Sequence, residues 1–305
     1  MAVEKTYVLQ DGILREQKDA QTGKRLCIVS FEQLAYAAQI LGETEENVEQ
    51  CLRYRVATYA GQEHFDYLSV MLLDTDHLLE APTQLCAYFN KEVLVFVTDG
   101  CKILDAVIQR LLTSSGHCED LMHIIYLLLE RKTEFDYQLQ EDLEEQISGL
   151  EEALITSKKN ECIEEIIGLR KELMALKRYY EQLMFVCDEM SDNENGFLSK
   201  RCVRAMQSLT SRMERLENGI RSLQDYVTQV REAYQAQVDI KQNQIMQVFT
   251  VITAVFLPLT LIVGWYGMNL KMPELQWEYS YPVVIVLSVA EVLLFMIFFK
   301  KKHWF

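Results

Sequence analysis

The stretch VGWYGMNLKMPELQWEYSYP (residues 263–282) lies between two runs almost free of charge, and its reading decides what the rest of the chain is. Residues 242–270 hold no charged side chain, and across residues 279–299 the one charge is Glu291. Each run supplies about 20 apolar residues, enough to cross a hydrocarbon core of about 30 Å. The quoted stretch is then a short loop between two membrane spans. Trp265, Tyr266, Trp277, Tyr279 and Tyr281 read as an aromatic belt at one interface, with Trp304 at the other. Three lysines follow the second run (Lys300, Lys301, Lys302), whereas the loop carries Lys271 against Glu274 and Glu278. By the positive-inside rule both termini are expected in the cytoplasm, which makes this a multi-pass protein of the inner (plasma) membrane.

Outward from these spans the chain changes character. Its 305 residues carry a net charge of -15, and residues 246–305 are slightly positive, which leaves -16 on residues 1–245. That balance argues against nucleic acid as a partner. It is compatible with cations as partners, and equally with solubility alone. The eight cysteines are scattered, with no C-x-x-C pair, so neither a zinc cage nor a disulfide framework is indicated. Scattered thiols suit a reducing compartment. The start, MAVEKTYVLQ, does not read as a signal peptide.

Residues 1–117 alternate strand-like runs (TYVLQ, LCIVSF, YLSVMLL, LCAYF, EVLVFVT) with helical ones (FEQLAYAAQILG, CKILDAVIQRLLTSS), which predicts a cytosolic α/β domain. Residues 118–195 are rich in Glu, Lys, Leu and Ile at a period of 3.5 to 3.6, which predicts long acidic cytosolic helices packed side by side. The evident breaker is SDNENG (residues 191–196), read as the turn of a helical hairpin. A stalk helix over 196–244 then enters the first span, 245–267, without a turn signal. At about 1.5 Å per residue a continuous helix from Phe197 to Tyr266 would be roughly 100 Å long. An extracytoplasmic loop (268–280), a second span (281–299) and a basic cytosolic tail (300–305) complete the expected order. The fold class is thus an α+β membrane protein whose stalk helix is continuous with the first of two C-terminal spans.

Two spans cannot enclose an aqueous path, so transport would require an oligomer. Steps of three and four along the first span connect Asn243, Met246, Phe249 or Thr250, Thr253, Leu257, Thr260, Gly264 and Gly267. In a ring of helices this column would offer hydroxyls and backbone to an axial pore. Small and hydroxyl residues also mediate dry packing between membrane helices, and spacing alone leaves both readings open. Pro258 removes the donor that the Ala254 carbonyl would otherwise have. Glu274 and Glu278 cannot dehydrate a divalent ion alone, but a symmetric oligomer repeats them as a ring that concentrates cations. An amide ring at the mouth would suit Mg2+, which gives up its water reluctantly.

FLPLTLIVGWYGMNLKMPELQWEYSYP, followed by an apolar run and KKKHWF, resembles the CorA family of divalent-cation channels. Gly267-Met268-Asn269 matches that family's signature, MPEL (residues 272–275) its loop, and a second span opening with Tyr-Pro belongs to the same pattern. These motifs cover about the last 65 residues, and the upstream order of elements matches as architecture. The resemblance implies a homopentamer whose first span lines the pore and whose second forms an outer ring. It implies that Gly267, Met268 and Asn269 make the selectivity mouth, with Asn269 binding hydrated Mg2+ through its first-shell water. It places Asn243, Met246, Thr253, Leu257 and Thr260 along the pore, with Met246 and Leu257 as hydrophobic gates. Phe249 falls where many members carry leucine. Mg2+ is implied as substrate and as regulator, with Co2+ and Ni2+ as further ions.

Two departures stand out. Family members sense internal Mg2+ at acidic sites between cytosolic domains. The best match to the acidic pair is Glu49-Gln50, and Ser208 stands near the facing stalk acid. Glu49 is therefore the regulatory-metal candidate, while Glu45, Glu46 and Asp66 read more simply as solvated surface. The second departure is Glu291, whose carboxyl is expected to be neutral and hydrogen-bonded to Thr260 or to the freed Ala254 carbonyl. No nucleotide loop or zinc-binding histidine spacing occurs, so neither an organic cofactor nor an enzyme is expected, and transport is expected to be passive. The rival readings are a zinc or nickel transporter of the same superfamily, and a non-conducting membrane-anchored coiled-coil scaffold.

Overall fold

The structure is a computed structural model and describes residues 5–17, 23–52, 57–113, 118–155, 161–269, 272–273 and 277–302. The chain divides into two compact units, Met1–Val230 and Arg231–Phe305.

The first unit opens with a seven-stranded sheet: β1 (Lys5–Gln10), β2 (Ile13–Glu16), β3 (Lys24–Val29), β4 (Thr58–Gly61), β5 (Asp66–Leu72), β6 (Thr83–Phe89) and β7 (Val93–Val97). The order is β2-β1-β3-β7-β6-β5-β4, with β3 and β7 parallel and every other pair antiparallel. Helices α1 (Leu34–Leu41) and α2 (Glu45–Leu52) cover one face, where Ala37, Ala38, Leu41 and Val48 pack on Cys27, Val29, Tyr67, Tyr88, Val95 and Val97. The alternate strand residues Leu26, Leu68, Val70, Leu85, Phe89, Leu94 and Phe96 are also buried, so both faces of the central strands are covered. On the helical side α3 (Lys102–Thr113) lies along β2, and α6 (Glu161–Asp192) lies along β4 and β5.

Between them run α4 (Met122–Lys132) and α5 (Asp136–Ile155), and the chain continues after α6 in α7 (Lys200–Tyr266), a single helix of 67 residues. The expected continuity of stalk and first span is therefore present. Residues 191–196 do break the hairpin, with Asn193 and Gly196 at positive φ. A second break at residues 133–135 was not expected from the sequence, because no glycine or proline marks it. There the buried Thr133 turns its hydroxyl onto the Leu129 carbonyl (3.0 Å), and the Arg212 guanidinium takes the Thr133 carbonyl (2.7 Å) where α4 ends. Helices α6 and α7 each bury one stripe at heptad spacing, and α7 is tied to α5 where the Gln140 amide donates to the Leu216 carbonyl (2.6 Å) and the Tyr226 hydroxyl to Glu151 (2.7 Å). Ile166, Leu169, Leu173, Leu176, Tyr180, Leu183, Cys187 and Met190 are buried on α6, and Met206, Leu209, Met213, Leu216, Ile220, Leu223, Val227 and Val230 on α7. Alternating steps of three and four are what side-by-side helices need to keep one apolar stripe in contact.

The hairpin turn is bolted to the sheet edge. Asp66 is fully buried and accepts hydrogen bonds from the Tyr59 hydroxyl (2.7 Å) and the Asn195 amide (2.6 Å), and the same amide reaches the Gln62 carbonyl (2.8 Å). Its reading as solvated surface is thus corrected. Burial raises the Asp66 carboxyl above the ordinary carboxylate range, only partly offset by these two donors. Substituting Asp66→Ala leaves the Tyr59 hydroxyl without this acceptor and the Asn195 amide with the Gln62 carbonyl alone, and should destabilise the full chain by roughly 1–3 kcal/mol in thermal or urea unfolding. The folded value lies above the unfolded one. The stability contributed by Asp66 protonation is therefore fully present below about pH 3.9 and lost as pH rises through the raised folded value. Asp66→Asn should remove that segment of the stability–pH curve.

Candidate functional site

In the second unit α7 carries the first apolar run and α8 (Ser280–Lys301) the second; both are long and apolar enough to cross a membrane. Helix α8 continues into the basic tail as far as Lys301. Each helix shields one stripe. On α7 the shielded residues are Val251, Ala254, Val255, Pro258, Leu259 and Ile262; on α8 they are Val284, Ser288, Glu291, Val292, Phe295 and Phe299. Both stripes follow helical spacing, so α7 and α8 turn these faces to one another along a seam.

The column Asn243, Met246, Phe249, Thr253, Leu257, Thr260 and Gly264 is exposed at every position. At 100° per residue it covers an arc about 120° wide, centred on the side of α7 away from the seam. Leu257 is 63 % exposed and Phe249 60 %, values that leave large apolar side chains without a partner in one chain. Thr250 donates to the Met246 carbonyl (2.8 Å) and Thr260 to that of Phe256 (2.7 Å). With the protons used inside the helix, these hydroxyls present lone pairs outward, the polarity a cation or its hydration shell requires.

Beyond Tyr266 the helix closes in a turn: the Gly267 amide donates to the Val263 carbonyl (2.9 Å) and that of Met268 to Trp265 (3.4 Å). Asn269 follows, exposed, and its side-chain amide makes no hydrogen bond among the described residues. Glu274 lies outside the described residues. Glu278 is exposed in the turn before α8, beside the Trp277–Tyr279 edge contact (6.0 Å between ring centroids). Glu291 has one carboxyl oxygen, Oε1, buried in the seam without a protein partner. Its expected bond to Thr260 is corrected here, since Thr260 stands on the opposite side of α7 with its hydroxyl on Phe256. Contact between the two spans is expected from the sequence, but not which residues make it; their signal is a second stripe at helical spacing, hidden among uniformly apolar neighbours.

In the first unit Glu49 is exposed on α2, as are Glu45 and Glu46, while the Gln50 side chain lies outside the described residues. Ser208 is exposed on α7. Among the described residues no three His, Cys, Asp or Glu side chains gather as a metal cage.

A family model for the CorA-like Mg2+ transporter protein matches residues 38–301. The chain belongs to that family. As a CorA-family chain it is a member of a group of divalent-cation transporters, which is a transporter family and not an enzyme family. It is 26 % identical over 231 residues to the cobalt/magnesium transport protein CorA of Thermotoga maritima, covering 75 % of this chain and 66 % of that protein. It is 27 % identical over 276 residues to the magnesium transport protein CorA of Campylobacter jejuni, covering 86 % of this chain and 83 % of that protein. The fold matches the CorA magnesium transporter from Methanocaldococcus jannaschii with a TM-score of 0.82, 18 % identity, and coverage of 99 % and 98 % of the two chains. The cytoplasmic domain of ZntB from Vibrio parahaemolyticus matches with a TM-score of 0.64 at 9 % identity, over 78 % of this chain and 98 % of that one.

Proposed function

We propose that this CorA-family chain forms a homopentameric channel for passive uptake of Mg2+, with Co2+ and Ni2+ as further ions. The observation that carries the reading is the exposed column of α7 on the side away from the α7–α8 seam. A helix that keeps one face for α8 and leaves threonine oxygens and unpartnered Met246, Phe249 and Leu257 on the other is suited to line an axis shared by several copies. Met246 and Leu257 would close such a pore by dewetting, and Phe249 would tighten it. Gly267, Met268 and Asn269 would form the mouth, where a ring of Asn269 amides holds the ion through its water. Glu274 and Glu278 would raise cation concentration outside it. With both termini in the cytoplasm, an inside-negative potential drives entry by about 2.3 kcal/mol per charge per 100 mV, and twice that for a divalent ion. Glu49 is the candidate for binding regulatory Mg2+. The domain boundaries that fit this reading are those given above, with the stalk ending near residue 244.

A zinc transporter is the second reading, since the ZntB cytoplasmic domain shares the fold. The test is ion entry into proteoliposomes under an inside-negative potential, comparing Mg2+, Co2+, Ni2+ and Zn2+. Mg2+ entry without a proton gradient is the expected result. Zn2+ entry alone, dependent on a proton gradient, would favour the zinc reading. Absence of flux for every ion, at any internal Mg2+ level, would favour the non-conducting scaffold.

A further inference from the structure

An ionisable side chain at mid-span is expensive unless it has a partner, and Glu291 has none of the obvious ones. It stands on the shielded stripe of α8, eleven residues from Ser280; eleven residues back from Tyr266 on α7 is Val255, beside Ala254. The helices run in opposite directions from a short loop, so the Glu291 carboxyl and the Ala254 backbone lie at about the same depth, roughly 16 Å from the loop at 1.5 Å per residue. Ala254 and Pro258 belong to the facing stripe of α7.

The donors along this seam are already used. Ser288 gives its proton to the Val284 carbonyl (2.9 Å). Thr260 gives its own to Phe256 and points away from the seam. No Lys, Arg, His, Cys or second carboxyl lies on α7 from 242 to 266 or on α8 before Lys300 apart from Glu291 itself. What the seam does contain is a second acceptor: proline at 258 has no N–H, so the Ala254 carbonyl loses its helical donor. Two acceptors on facing stripes at one depth can be satisfied together by a group that donates twice, and a single water does this.

We propose that Glu291 is a positioning residue for transport: through one bridging water it holds the Ala254 carbonyl, and so fixes α8 against α7 at the Pro258 break. The break is where α7 can bend, because one rung of its hydrogen-bond ladder is missing. Leu257 and Thr260 flank that break on the outward column, so the tilt of this segment sets how close their side chains approach the axis. The carboxyl acts from the outer helix and touches no ion. This role in transport rests on the pore-lining reading of α7, whereas the latch itself does not.

The experiment is a double-mutant cycle on the full chain, read both as Mg2+ flux in proteoliposomes and as the thermal unfolding midpoint of the detergent-solubilised protein. Glu291→Leu should lower flux at least about fivefold and lower the midpoint, while Glu291→Gln, whose amide oxygen still accepts from the water, should stay near wild type. In a Pro258→Ala background the restored N–H takes the Ala254 carbonyl, and Glu291→Leu should then produce no further fall in either readout. Wild-type behaviour of Glu291→Leu would overturn the proposal. So would equal impairment of the Gln and Leu variants, or effects that multiply in the double variant. If the wild type passes no ion, the channel reading fails, and the same cycle in the unfolding midpoint decides the latch on its own. Should Pro258→Ala not fold, the contrast between Gln and Leu at 291 remains decisive.

Discussion

Replacing Asn269 with alanine is expected to remove most Mg2+ flux from the reconstituted channel, together with its preference for Mg2+ over larger divalent ions. The reason is multiplicity. One amide that accepts a hydrogen bond from ion-bound water is worth roughly 1 kcal/mol net, and the fivefold ring proposed above would repeat it. A loss of ~5 kcal/mol in ion binding at the mouth corresponds to between about three and four orders of magnitude in affinity. The amide is exposed and makes no bond among the described residues, so removing it should leave folding untouched. The variant should therefore elute as the same oligomer and unfold at the same temperature while flux collapses. Normal flux with normal selectivity would show that the mouth lies elsewhere.

Gly267→Ala should reduce flux by a comparable factor for a different reason. A Cβ at Gly267 would lie 2.9 Å from the Val263 carbonyl oxygen, a backbone atom that cannot swing aside. That carbonyl also accepts the hydrogen bond that closes the last turn of α7. The added methyl forces the turn open and displaces the two residues that follow, Met268 and Asn269. Misplacement of a functional group by about 1 Å can cost on the order of a hundredfold in rate, and a ring of amides is sensitive in the same way. Gly264 supplies the control, because a Cβ there meets nothing within 4 Å. Flux measured for both variants should fall far more for Gly267→Ala than for Gly264→Ala. Equal effects would assign the loss to helix flexibility and not to the turn.

The column on α7 was legible in the sequence because helical spacing is a local property: steps of three and four from Asn243 reach one side of the helix whatever surrounds it. The five central strands were legible for the same reason, being apolar runs of strand length. Strands β2 and β4 were not. Each has four residues and lies at a sheet edge, and ILRE and TYAG offer too little alternation to mark a strand. Asp66 escaped because β5 is buried on both faces, so alternation cannot say which of its residues meets water, and its Asn195 partner is 129 residues away. The end of α4 escaped because no glycine or proline announces the turn, and the Arg212 guanidinium that takes the Thr133 carbonyl comes from 79 residues away. Glu291 stands out in the sequence as a charge among apolar residues. Its surroundings were not legible, because Thr260 and Ala254 sit on opposite sides of α7 and only the packed seam tells them apart.

The clamp of Asp66 on Asn195 has a consequence for solubility. Strand β4 ends the sheet, and an end strand offers a row of free amides and carbonyls on which any extended chain can zip. Here α6 packs on β4 and β5, and the Asn195 amide takes the Gln62 carbonyl just past the strand. At the far flank α3 lies along β2, and the Cys118 amide takes the Gly12 carbonyl. Both end strands are thus four residues long and tied down beside their turns, which leaves little free edge for strand exchange. Where membrane anchoring crowds many copies of one β-domain together, end strands this short disfavour the fusing of neighbouring sheets into a continuous, misassembled β-structure.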